Sequence, residues 1–355
     1  MPEPLSNKLA RLGALLEGAR RIANRTTRFG AVARARLVAS TRLSAEGVEL
    51  ALDAHLETDP GIEELELLCA SVKDAPRAHV LLSANVFTGA HRALALALAS
   101  SERVCVRPSR RDPEFVALLA EQCPGLFSIV ARVEPEAGES VWAYGTDATL
   151  AELHASLPAS VALHAYGGGL GLAVVDRSAA ASDAELARAA ERLAYDVVVF
   201  DQRGCLSPRA VLWVGDAGGA RELAAALAEA LESKQAEVPL GRLDDDELAD
   251  VAVYRDAAAY AGELLVAGRG FVGVGVEPDR LVVPPIGRNL HVVPVRSLSE
   301  TLDSVRDLVT ALGVEVSPSL RAEFVALVPR ARVTHLGAMQ KPPFDGPVDR
   351  RARRY

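Results

Sequence analysis

Nine residues carry the strongest chemical suggestion in this chain: Asp201-Gln202-Arg203-Gly204-Cys205-Leu206-Ser207-Pro208-Arg209. They lie between two apolar runs, 197–200 and 210–214, which have strand length and β-branched or aromatic content. A cysteine after a glycine, between two buried strands, sits where a rigid scaffold presents a reactive group to a cleft. Gly204 lets a ligand approach the backbone closely. Arg203 and Arg209 would favour the thiolate over the thiol, and the thiolate is the nucleophile. The same residues also read as a buried structural thiol, since free cysteine is among the most buried residue types. The turn alone leaves both readings open.

The wording Asp-Gln-x-x-Cys-x-Ser-Pro-Arg resembles the nucleophile segment of the LuxC-type long-chain acyl-CoA reductases, a branch of the aldehyde dehydrogenase superfamily. The broader superfamily pattern is Gly-Gln-x-Cys-x-x-x-Ser-Arg, and Ser-Pro after the cysteine favours the reductase branch. On this resemblance Cys205 is the nucleophile. The likeness runs in order over about residues 40–345. Ser83-Ala84-Asn85-Val86-Phe87 stands where the superfamily has an asparagine between an apolar strand and a helix. The resemblance implies that the Asn85 amide and the Cys205 backbone N–H bind the developing oxyanion. Two such donors contribute about 3–4 kcal/mol or more in a dry site. Taken by itself, Asn85 reads as a turn residue bonding its own backbone.

The cofactor residues are implied in the same way. Val106-Arg107-Pro108-Ser109 resembles the Lys-Pro-Ser segment whose lysine contacts the adenosine ribose, with Arg107 in place of the lysine and Ser109 in place of the serine. Arginine matches a phosphate bidentately, so the exchange suits a 2′-phosphate and points to NADPH. Gly145 and Thr146 resemble the Gly-Ser pair that opens a helix beside the dinucleotide, where free N–H groups favour phosphate. Gly167 and Gly168 resemble Glu-Leu-Gly-Gly, which packs near the nicotinamide. Two departures stand out. No glutamate occurs between Glu152 and Glu185, so the general base of the oxidising enzymes has no counterpart. The Glu-x-Phe-Gly-Pro element that holds the nicotinamide ribose is unmatched around residues 286–294. Gly337-Ala338-Met339-Gln340-Lys341-Pro342-Pro343 again resembles the reductases' ending.

Elements must position these groups. Residues 44–56 read as an amphipathic helix capped by Ser44, with Val48, Leu52 and Leu56 as its stripe. From His79 the pattern is strand–turn–helix, with strands at 80–82, 103–107, 128–133 and 141–144, and helices at 90–100 and from Asp112-Pro113. Strands alternating with helices imply a parallel, Rossmann-like sheet. No Gly-x-Gly-x-x-Gly fingerprint occurs there, which the aldehyde dehydrogenase variant also lacks. Ser182 and Glu185 form a capping box, and Leu186, Ala189 and Leu193 stripe the helix that delivers the chain to the Cys205 turn. Leu223, Leu227 and Leu231 stripe another helix. A helix ends near Leu265, strands are expected at 271–276, 281–283 and 291–295, a helix at 298–312, and irregular chain over the last 25 residues.

The fold expected is α/β and aldehyde-dehydrogenase-like, a Rossmann-like cofactor domain plus an α/β catalytic domain. Its divisions are an N-terminal helical segment (1–75), the cofactor domain (76–175), the catalytic domain with Cys205 (176–320) and a C-terminal extension (321–355). With 355 residues the chain can bury a substantial core. The net charge of −8 argues against nucleic-acid binding, which needs a concentrated basic face. Cys69, Cys105, Cys123 and Cys205 are widely spaced, giving neither a disulfide framework nor a metal site. No signal region and no bilayer-length apolar run occur, so a cytoplasmic protein without a membrane anchor is expected. A homo-oligomer is the expected assembly. The function expected is an NADPH-dependent fatty acyl-CoA reductase, with acyl-CoA as substrate. Its rivals are an acyl-phosphate reductase of the same fold and a non-redox subunit that exchanges an acyl group on Cys205 with a partner protein.

Overall fold

The computed structural model describes residues 3–83 and 86–351, which form two compact units. One comprises residues up to Thr41, 48–168 and those from Pro343 onward; the other comprises 42–47 and 169–342.

Four helices come first: α1 (Leu5–Ala23), α2 (Arg28–Thr41), α3 (Ala45–Leu50), which runs on into a π-helical turn (Ala51–His55), and α4 (Ile62–Ala70). The Ser44 hydroxyl accepts from the Gly47 N–H at 3.0 Å, the cap expected from the sequence. Val48, Leu52 and Leu56 are buried, as their spacing requires. The first sheet follows: β1 (Ala78–Leu81), α5 (Gly89–Ser100), β2 (Val104–Arg107), α6 (Glu114–Gln122), β3 (Ser128–Ile129), β4 (Ser140–Tyr144), α7 (Asp147–Ser156) and β5 (Ala162–Tyr166). Its order is β3-β2-β1-β4-β5 and every pairing is parallel. Parallel neighbours need crossovers of helix length, which the alternating pattern supplies. Val141, Ala143 and Ala165 pack with Leu150 of α7 on one face. On the opposite face Trp142 stacks on His164 at 3.9 Å and Tyr144 on Tyr166 at 4.8 Å.

The second unit holds β6 (Leu170–Asp176), α8 (Asp183–Val198), β7 (Pro208–Val214), α9 (Ala217–Glu237), α10 (Asp245–Ala261), β8 (Glu263–Ala267), β9 (Gly270–Val274), β10 (Leu290–Val295), α11 (Leu298–Asp303), β11 (Val309–Glu315), α12 (Pro318–Leu327) and β12 (Arg332–His335). The sheet order is β12-β11-β6-β7-β10-β9-β8, parallel except for the β8–β9 hairpin. Alternate residues of its central strands, among them Leu172, Val174, Leu212 and Val293, form one core with Leu302 and Phe324 of the covering helices.

Several elements differ from the sequence reading. Residues 197–200 are not a strand: α8 runs through Val198 and a 3-10 turn (Val199–Gln202) follows. The buried positions Leu186, Ala189, Ala190, Leu193, Ala194, Val197 and Val198 continue one helical stripe, so the apolar run is the last turn of that stripe. Residues 298–312 divide into a short helix and strand β11, whose residues from Val309 to Val314 are all buried. A strand covered on both faces carries no period-2 signal and is indistinguishable by pattern from a buried helix. Residues 281–283 are not a strand, β5 and α12 are additional, and β12 lies in chain expected to be irregular. Gly262 ends α10 four residues earlier than Ala261's apolar continuation suggested, and Leu265 belongs to β8.

Candidate active site

Cys205 sits on a four-residue turn at the entry to β7, a central strand of the second sheet. The Ser207 N–H donates to the Gly204 carbonyl at 3.1 Å and closes the turn. Leu206 and Ser207 are buried and Cys205 is half-buried, so the turn is anchored through the residues that follow the cysteine. Pro208, which cannot donate to a ladder, is the first residue of the strand. Gly171 of β6 lies against this turn. A Cβ there would stand 2.8 Å from the Leu206 carbonyl oxygen and closer still to that of Ser207. Only glycine allows that approach.

The chain enters the turn through backbone that side chains seldom adopt. Phe200, Asp201 and Gln202 have φ of 56°, 50° and 65°. Left-handed conformation costs about 1–2 kcal/mol per non-glycine residue. Asp201 and Gln202 supply the compensation. Asp201 Oδ1 accepts from Arg288 Nη2 at 2.6 Å and Nε at 3.1 Å, and its Oδ2 accepts from the Gly241 N–H at 3.0 Å. Arg288 also donates to Gln235 Oε1 at 3.0 Å and to the Val238 carbonyl at 2.6 Å. Gln202 Nε2 donates to the Pro208 and Asn289 carbonyls, each at 2.8 Å, and Gln202 Oε1 accepts from the Asn289 N–H at 2.9 Å. Residues 288–289 thus occupy the stretch where the sequence lacked its ribose-holding element, and they brace the cysteine turn instead. Neither residue stood out in the sequence. The signal was a charged residue beside an asparagine in an otherwise apolar, glycine-flanked stretch; the pairing to Asp201 was not legible.

The two arginines of the turn differ. Arg203 is held by the Glu247 carboxylate through both terminal nitrogens, so its charge is neutralised there. Arg209 makes no ion pair among the described residues: Nη2 donates to the Pro284 carbonyl and Nε has no partner. Burial lowers its pKa to about 10. Of the two arginines expected to favour the thiolate, Arg203 is thus already paired.

A second brace comes from the segment after β12. Asp196, fully buried near the end of α8, accepts the N–H groups of Gly337 at 2.6 Å and Met339 at 3.0 Å. Burial raises its carboxyl to about 7, against these backbone donors, which pull the other way. Gln340 Nε2 then donates to Ser207 Oγ at 2.8 Å.

In the first unit the remaining predicted residues gather along one sheet edge. Arg107 ends β2, Gly145 follows β4, and Gly167 and Gly168 follow β5, all at carboxyl ends of parallel strands. In open α/β sheets that edge binds ligands at the point where strand order reverses, here between β1 and β4. Asn85 lies outside the described residues. Arg107 is half-buried with no ion pair among the described residues. The Ser109 hydroxyl accepts from the Arg111 N–H at 3.2 Å. Thr146 caps α7, its hydroxyl accepting from the Thr149 N–H at 3.3 Å, and the Gly145 N–H donates to the Tyr166 carbonyl at 3.1 Å. The Gly168 N–H donates to Asp147 at 3.3 Å and its carbonyl accepts from Arg351 at 3.0 Å. His164 stacks on Trp142, and burial lowers its pKa. Among the described residues no group of histidines, cysteines and carboxylates could hold a metal ion, and no helix is long and apolar enough to cross a membrane.

This architecture is that of the aldehyde dehydrogenase fold. It is similar to an oxidoreductase from Marinobacter aquaeolei, with a TM-score of 0.73 and 15% identity over 98% of this chain and 84% of that one. It is also similar to an NAD-dependent benzaldehyde dehydrogenase from Corynebacterium glutamicum, with a TM-score of 0.69 and 16% identity over 94% and 82%. Lactaldehyde dehydrogenase from Escherichia coli gives 0.67 and 15% over 94% and 79%. No curated protein matches the chain. The LuxC acyl-CoA reductase family matches residues 131–349, a stretch that includes the cysteine turn and both its braces, and the chain belongs to that family.

Two measurements follow. Arg288→Met should lower the unfolding free energy by about 3–5 kcal/mol, because it leaves the Asp201 carboxylate buried without its cation. Denaturant titration reads this, and a loss under 1 kcal/mol would show that the pair does not hold the turn. The second concerns Asp196. Its folded pKa of about 7 lies above the ordinary carboxyl value of about 4, so its protonated form favours folding. That contribution is complete below pH ~4 and is lost as pH rises through ~7. The stability of wild type relative to Asp196→Asn should therefore fall across that window; a flat difference would contradict the raised pKa.

Proposed function

We propose that this protein is an NADPH-dependent fatty acyl-CoA reductase working through a Cys205 acyl-enzyme. The observation that carries the reading is the half-buried Cys205 on a doubly braced turn, in a chain of the LuxC acyl-CoA reductase family. The Cys205 thiolate attacks the thioester carbonyl and forms a carbon–sulfur bond. The Cys205 N–H and, by the resemblance, the Asn85 amide carry the oxyanion until the bond to CoA sulfur breaks and CoA thiolate leaves. Splitting one hard displacement into two easier steps is the purpose of such covalent catalysis.

The strand ends of the first unit fit a nucleotide. Arg107 offers a cation that no carboxylate of the described residues engages, and a Cβ on Gly168 would meet nothing within 4 Å. Arg107 would take the 2′-phosphate, with Gly145 and Thr146 at the helix start beside the pyrophosphate. NADPH held by these residues would supply a hydride to the acyl carbonyl, which would leave as aldehyde and return the Cys205 thiolate. The absence of a glutamate between Glu152 and Glu185 suits this direction, because a base that activated water would waste the intermediate.

A second reading has its own observation. Arg209, a half-buried cation in the same turn that no carboxylate of the described residues engages, favours a donor with a compact anionic leaving group, an acyl phosphate.

One experiment tests the reading and separates it from the rivals. Incubation with a labelled long-chain acyl-CoA should leave a hydroxylamine-sensitive acyl group that Cys205→Ala abolishes. In a single-turnover chase the label should persist in buffer and leave as aldehyde when NADPH is added. Labelling only from an acyl phosphate supports the second reading; persistence with NADPH and transfer only to a partner protein supports the non-redox carrier. Rapid hydrolysis in buffer would contradict the missing base. For the cofactor, NADPH should bind about 10- to 150-fold more tightly than NADH, the range of one charge-assisted contact, and Arg107→Ala should erase most of the difference. Equal affinities in the wild type would remove Arg107 from the phosphate role.

A further inference from the structure

Ser207 stands two residues beyond Cys205 and closes its turn, and it is fully buried. The Ser207 N–H is spent within the turn, and its carbonyl faces the bare Gly171. Its hydroxyl accepts from Gln340 Nε2 at 2.8 Å. Gln340 is itself buried and comes from chain 133 residues away. Its amide is aimed by the backbone carbonyl of Asp196, to which Nε2 also donates at 3.3 Å. The segment that carries it is pinned at two points by the Asp196 carboxylate. Its third fixing is steric, since a Cβ on Gly313 would collide with the Met339 thioether, so β11 and this segment are in close packing. A neutral amide donor suits the position, because it meets a hydroxyl and a carbonyl oxygen, both acceptors. A glutamate there would set a carboxylate against the Asp196 carbonyl.

We propose that Gln340 is a positioning residue for the Cys205 nucleophile, fixing the Ser207 end of the turn so that the sulfur is held for attack. This rests on the reading of Cys205 as the nucleophile. Arg288 and Asn289 brace the entry of the turn through Asp201 and Gln202; Gln340 braces its exit. With the exit released, the turn keeps its fold but the sulfur samples a wider range, and a displacement near 1 Å costs on the order of 100-fold in rate.

The test uses the full chain and two acyl donors, a long-chain acyl-CoA and p-nitrophenyl octanoate. In the second, the Cys205 thiolate displaces p-nitrophenolate, whose colour reports acylation without any need for CoA recognition. Gln340→Met keeps the volume and removes both hydrogen bonds; Ser207→Ala removes the acceptor. Each should slow the acylation burst about 10- to 100-fold, leaving half-saturating donor concentration within about twofold. The double variant should be no slower than the worse single, because both remove one contact. Ser207→Thr, which retains the hydroxyl, should recover most of the rate. Wild-type burst rates in both single variants, or additive losses in the double, would overturn the proposal. If Gln340→Met fails to fold, Ser207→Ala and Ser207→Thr decide alone. Acylation of wild type by the ester but not by acyl-CoA would sink the substrate reading while leaving the positioning proposal to stand or fall on the ester burst. Acylation by neither donor would defeat both.

Discussion

The buried pair of Asp201 and Arg288 is the interaction on which the presentation of Cys205 depends. Three successive left-handed residues would not persist in a free chain, since each is sterically disfavoured for an L side chain with a Cβ. Here the strain is offset because Asp201 must reach both the Arg288 guanidinium and the Gly241 N–H, and the left-handed path lets it. A buried ion pair adds little net stability over an apolar substitute, but it tolerates only one geometry when every polar atom is satisfied. That single geometry fixes where the turn places Cys205. Gln202 repeats the device with an uncharged group, tying Pro208 and Asn289 across the mouth of the sheet.

Both sheets use their parallel strands in the same way. The rigid strand ends, and the loop that follows or precedes it carries the candidate site residues. In the first unit the carboxyl ends of β2, β4 and β5 bring together Arg107, Gly145, Thr146, Gly167 and Gly168, which are spread over 62 positions of sequence. In the second unit the turn enters a strand with paired neighbours on both sides, so its far end cannot drift. Braces from β10's approach and from the segment after β12 complete the support. The departure from the superfamily at 286–294 gains a meaning here: that stretch is part of the scaffold of the Cys205 turn.

The turn that carries Cys205, the strand that Arg107 ends and the alternating strand–helix rhythm were legible in the sequence. They depend on residue type at short spacing: a glycine before a cysteine, a serine three residues ahead of a glutamate, a leucine every third or fourth position. Such signals are local, and the backbone obeys them because hydrogen-bond capping and one-sided burial are decided within a few residues. The capping box at Ser182 and the stripe of α9 follow from such local signals.

What the sequence could not determine was anything that hangs on two distant residues or on burial from both sides. Residues 197–200 are apolar throughout and 309–314 are mostly so, and only the completed packing decides that one finishes a helix and the other is a buried strand. The charge on Arg203 looked available to the cysteine until Glu247, 44 residues on, claimed it. The partners of Arg288, Asn289, Asp196 and Gln340 were not legible in the sequence, because each lies far along the chain. Their roles arise because folding desolvates polar groups together, and a desolvated polar group must find a partner wherever the tertiary structure supplies one.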